Sequence, residues 1–180
     1  MFCFFDDFKQ QFQVGSNGII NFNPIPNTGG PIPSGYSASP GQDIIPNNST
    51  FSIRDANIFT PFHDIFPSEN PENEISWEII GEFPNRVLAV SYYDVAMYSC
   101  TDLLASHMAV IYETTNIIDI YVSNAPNCSF NSNSKIIGIQ NDAGTVAYTP
   151  DGRNNTGNWD TQNEAWRFTP IGDSIVEFAG

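Results

Sequence analysis

A chain of 180 residues is long enough for one well-buried core, and 41% hydrophobic, 13% aromatic and only 14% charged residues set it apart from disordered chains. Twenty acidic residues against six basic ones give a formal net charge of −14. The six cations, Lys9, Arg54, Arg86, Lys135, Arg153 and Arg167, are scattered along the chain, which argues against duplex nucleic acid and anionic membranes as partners and leaves cations, neutral sugars and basic proteins.

In chain order, the first elements are strands over residues 12–14 and 18–22, joined through Ser16-Asn17-Gly18, where Asn and Gly tolerate positive φ in a tight hairpin. Residues 23–50 are rich in Pro, Gly, Asn and Ser and read as a long loop. Residues 53–59 give the nearest approach to a helical pattern, a turn or two stopped by Pro61. In 74–80, Ile75, Trp77 and Ile79 alternate with Glu74, Ser76 and Glu78, predicting a strand whose apolar side faces the core. Further strands are expected at 87–93, at 108–113 and 117–123 (a hairpin across Thr114-Thr115-Asn116), and at 135–140, 165–168 and 174–178. Residues 148–162, with their Pro-Asp-Gly and Thr-Gly-Asn turn signals, form a second long loop. The expectation is an all-β, antiparallel β-sandwich of jelly-roll-like type, about nine strands with long loops, in a single domain over residues 1–180.

No apolar run reaches the roughly 20 residues needed to cross a bilayer, and residues 1–10 lack the features of a signal peptide. The opening on Met-Phe-Cys-Phe-Phe, without linker residues, suggests a domain cut from a larger polypeptide. Cys3, Cys100 and Cys128 match no zinc spacing. Cys100 and Cys128 each follow an apolar run, which predicts a disulfide between strand ends with Cys3 left over; three buried thiols are the alternative.

Four phrases stand out together: Val14-Gly-Ser-Asn-Gly-Ile-Ile-Asn-Phe22, Ile58-Phe-Thr-Pro-Phe-His-Asp-Ile65, Ile111-Tyr-Glu-Thr-Thr-Asn-Ile-Ile118 and Asn163-Glu-Ala-Trp-Arg-Phe-Thr-Pro170. In that order, over residues 2–170, they resemble an uncharacterised domain of large bacterial cell-surface proteins associated with gliding motility and type IX secretion. More loosely, the first two phrases are similar to the extracellular domain of nidogen-type proteins. The resemblance implies a secreted, surface-exposed module with an adhesive or structural role inside a larger multidomain chain, and it supplies no catalytic residues.

Candidate sites follow from residue chemistry. Asp64, Asp94 and Asp151 are candidate Ca2+ ligands, although the Asp-x-Asp-x-Asp-Gly loop pattern is absent. His63-Asp64 reads as a loop anchor and His107 as a surface or hydrogen-bonded strand histidine. Tyr36, Asn158 and Trp159 are the candidate ligand-binding residues, with Trp159 either a sugar platform or a plug at the end of the sandwich. The Asn-x-Ser/Thr triplets at Asn47, Asn48, Asn127 and Asn154 carry no assignment. No nucleophile elbow or phosphate loop is present. Glu74 and Glu78 share a strand face but would lie roughly 13 Å apart, too far for a glycosidase pair. The leading function is therefore a non-catalytic surface module binding a glycan or protein ligand; the alternative is a carbohydrate-active enzyme pairing Glu78 or Glu113 with Asp94.

Overall fold

The computed structural model describes residues 2–24, 43–51, 53–155, 158–171 and 174–179. The alternating segments build the larger of two facing antiparallel sheets. Its strands are β6 (Glu74–Ile80), β7 (Val87–Met97), β8 (Cys100–Tyr112), β9 (Ile118–Ala125), β12 (Thr161–Ile171) and β13 (Ser174–Ala179), in the spatial order β13-β12-β9-β8-β7-β6. Register puts Leu88, Val90 and Tyr92 beside His107, Ala109 and Ile111, and these beside Val122, Ile120 and Ile118, on the face turned to the core.

Opposite lies a five-stranded sheet ordered β11-β10-β5-β4-β3, from β3 (Gln13–Val14), β4 (Ile19–Asn21), β5 (Asn57–Phe62), β10 (Ile136–Gln140) and β11 (Ala147–Tyr148). It is buried on both faces: Ile20, Ile58, Ile137 and Ile139 join the inter-sheet core, while Ile19, Phe59, Phe62 and Ile136 pack outward against Ile45 and Ile53. Two-sided burial replaces alternation by continuous apolar sequence. That corrects the expected helical turn at 53–59, which is a turn leading into the fully buried β5. Pro61 is tolerated because the β5–β10 register shifts between Phe59 and Phe62.

Thirteen strands are described rather than about nine. The additional ones are short, such as the hairpin of β1 (Phe2–Phe4) and β2 (Asp7–Lys9), whose Phe2 and Phe4 pack with Phe22. Buried amides clamp residues 43–56 onto the smaller sheet. Asn21 donates to Asn57 (2.8 Å), Asn57 donates to the carbonyls of Ile53 and Arg54, and Gln140 donates to those of Asn47, Ile53 and Asp55. The predicted disulfide is present between Cys100 and Cys128, with Cys3 free and half-buried.

Candidate functional site

β6 ends the larger sheet and, among the described residues, pairs only with β7. The smaller sheet does not reach over its whole length. Ile75 packs on the core, but Trp77 is 56% exposed and Ile79 48%, so the prediction that this row is buried holds only at its first residue. Ile80 (52% exposed) ends β6 on the glutamate side of the strand, and Phe83 (70%) lies in the β6–β7 turn. Phe12 meets the Trp77 ring edge-on, with centroids 5.2 Å apart.

Beside this edge a cleft of about 340 Å³ opens between the N-terminal segment and the sheet. Phe2, Phe12 and Phe22 form one wall, and Ile79, Phe83 and Leu88 the other. Its rim charges are neutralised. Arg86 grips Glu113 through two parallel bonds (Nε to Oε2, 2.8 Å; Nη2 to Oε1, 2.7 Å), which hold the Glu113 carboxyl well below the usual carboxylate range. Lys9 is held by Asp142 at 2.7 Å.

The edge strand is also acidic. Glu69, Glu72, Glu74, Glu78 and Glu82 are all exposed, residues 55–85 contain no Lys or Arg, and none of the five forms an ion pair among the described residues. Glu74 and Glu78 alternate with Ile75, Trp77 and Ile79, so the strand presents one apolar and one anionic side.

The residues singled out by sequence lie elsewhere. Trp159 is only 8% exposed and joins the main core, with the Lys135 ammonium 5.0 Å and the Arg153 guanidinium 4.5 Å from its ring centroid. Its ring is enclosed rather than open. Asn158 beside it is exposed, and Tyr36 lies outside the described residues. Asp94 sits at a register shift of β7 with φ 48°, where Ser106 bonds both its amide and its carboxylate. Asp64 accepts from the Tyr98 amide through its carbonyl, and Asp151 is exposed in a turn. Among the described residues no three His, Cys, Asp or Glu side chains come together as a metal site. The proposed carboxylate pairs do not meet either. Glu78 stands opposite Ala89, about 16 Å of strand from Asp94, and Glu113 lies seven residues beyond Ser106, the partner of Asp94.

His63, expected as a loop anchor, and His107, expected as a surface or hydrogen-bonded strand histidine, are both buried and face each other, His107 as a hydrogen-bonded residue of β8. His63 and His107 touch through their Nε2 atoms at 3.1 Å, and Tyr92 stacks on His107 with centroids 4.5 Å apart. Thr60 donates to the Gly18 carbonyl, so its oxygen accepts from His107 Nδ1; His107 Nε2 is then an acceptor for His63 Nε2–H. His63 Nδ1 is left without a partner among the described residues. Burial pushes both imidazoles down, His107 to about 3. Neither is accessible to a substrate, so the pair is structural. Spacing gave no sign of it, because 44 residues separate the partners, one just past the end of β5 and the other within β8.

A family model described as NIDO related matches residues 1–179. No curated protein and no solved structure matches the chain.

Proposed function

The chain belongs to the NIDO-related family, and from that membership together with its surface we propose that it is an extracellular, non-catalytic module that binds a protein ligand. One observation carries this reading: Trp77 and Ile79 form an exposed apolar row on the edge strand, with no partner covering it among the described residues, beside an apolar cleft lined by Ile79 and Phe83. Folded domains rarely leave such a patch, rimmed by charge, without a partner, and aromatic anchors are what protein interfaces use. The Cys100–Cys128 bond suits an oxidising, extracellular setting. The cell surface of a bacterium using type IX secretion is the specific setting that the sequence resemblance suggests. A glycan role loses its main support, since the Trp159 ring is enclosed.

The test is an array of extracellular proteins and glycans probed with the purified domain and with a Trp77→Ser/Phe83→Ser variant. Expected is a protein ligand whose affinity drops about tenfold or more in the variant. Selective glycan binding unchanged by the two substitutions would contradict the reading.

A further inference from the structure

Resting on the protein-binding reading, we infer that β6 takes up an extended chain of alternating apolar and basic residues as a seventh strand of the larger sheet. Three independent features of the edge combine to specify that occupant. The first is its backbone. β6 is hydrogen-bonded only to β7, and its opposite side has no backbone partner among the described residues, so a row of amides and carbonyls is open for pairing. The second is its apolar row: a strand laid beside it would place every second side chain over Ile75, Trp77 and Ile79, with the cleft next to Ile79 receiving the last of them. The third is charge. The alternate side chains would stand opposite Glu74 and Glu78, in a stretch of five exposed acids that form no ion pair among the described residues.

The same charge decides between occupants. A second copy of this chain would bring net charge −14 against −14 and a second acidic edge against the first, which like-charge repulsion disfavours. A basic strand meets attraction at the same positions. The spacing of the glutamates sets the pattern of the incoming segment: cations four residues apart, with apolar residues at the first and third positions between them.

The experiment uses the intact domain and short synthetic peptides of that pattern, read by fluorescence anisotropy at low salt. The Lys-bearing peptide should bind at least about tenfold more tightly than its Glu-bearing counterpart, and a Glu74→Lys/Glu78→Lys variant should reverse the preference. N-methylation of one alternating set of peptide amides should abolish binding, while methylation of the other set is tolerated, because only every second amide points at β6. Binding that ignores charge order, or that survives methylation of both sets in turn, overturns strand addition. If the array ligand still depends on Trp77 and Phe83 in that case, the protein-binding reading stands alone. A concentration-dependent dimer that shields Trp77 would put a second copy on the edge and also overturn the proposal.

Discussion

Single atoms decide the behaviour of the buried histidine pair. With His63 Nε2–H donated to His107, protonating either ring places an N–H where no acceptor waits, and does so without solvent. Both folded pKa values are therefore depressed below the ordinary 6.5. The unfolded chain then binds more protons than the folded one below pH 6.5, so the stability this pair contributes is complete above that pH and is lost as pH falls toward about 3. Each histidine can contribute a slope of about 1.4 kcal/mol per pH unit. Depressed carboxylates such as Glu113 act only below their ordinary 4.5, so loss between pH 6.5 and 4.5 belongs to the histidines. Urea unfolding at steps across that range should show the decline, and His63→Leu should flatten it; a flat profile in the wild type would refute the burial argument. Gly18 makes a second prediction at this scale. Its φ is +85° and an added Cβ would lie 2.0 Å from the Pro61 carbonyl oxygen, so Gly18→Ala should cost on the order of 3 kcal/mol or more in the same assay.

At the scale of elements, polar ties hold what hydrophobic burial alone would leave loose. Gln140 shares the two N–H groups of its side-chain amide among the carbonyls of Asn47, Ile53 and Asp55 and so anchors them over β10. Gln140→Leu would remove this donor from the Asn47 and Asp55 carbonyls, while Ile53 keeps Asn57, and the expected loss is roughly 2 kcal/mol. The Cys100–Cys128 bond closes a 28-residue separation, for which chain entropy gives roughly 3.5 kcal/mol. Thiol titration of the unreduced, unfolded protein should count one free thiol per chain, from Cys3; three would remove the disulfide from the account. The elements also show where sequence reading succeeds and fails. The hairpins at Ser16-Asn17-Gly18 and across Thr114-Thr115-Asn116 were legible because turn chemistry is local. β5 was not, because a strand buried on both faces loses the period-two signal. Nor was the exposure of Trp77, since alternation reveals which side of a strand is apolar and not whether anything covers it. The run of glutamates at 74, 78 and 82 was the available sign of an edge.

Over the whole molecule, the residues that mattered most for the candidate site were brought together by topology. Phe12 meets Trp77 and lines the same cleft as Phe83 because the N-terminal segment folds back onto the end of the larger sheet, a juxtaposition no spacing encodes. Arg86 and Glu113 likewise meet across two strands, 27 residues apart in sequence. The loops that drew attention by composition led to an enclosed Trp159 instead. Fold class could be read from sequence because it depends on repeated local patterns; the site could not, because it depends on which strand ends up last in a sheet. The account then stands on β6 being an open, binding-competent edge. Hydrogen–deuterium exchange of the β6 amides, with and without the alternating Lys peptide, tests that claim most directly. Expected is rapid exchange of every second amide of residues 74–80 in the free domain and protection of those same amides on binding. Amides already protected in the free domain, or protection that appears only elsewhere, would contradict it.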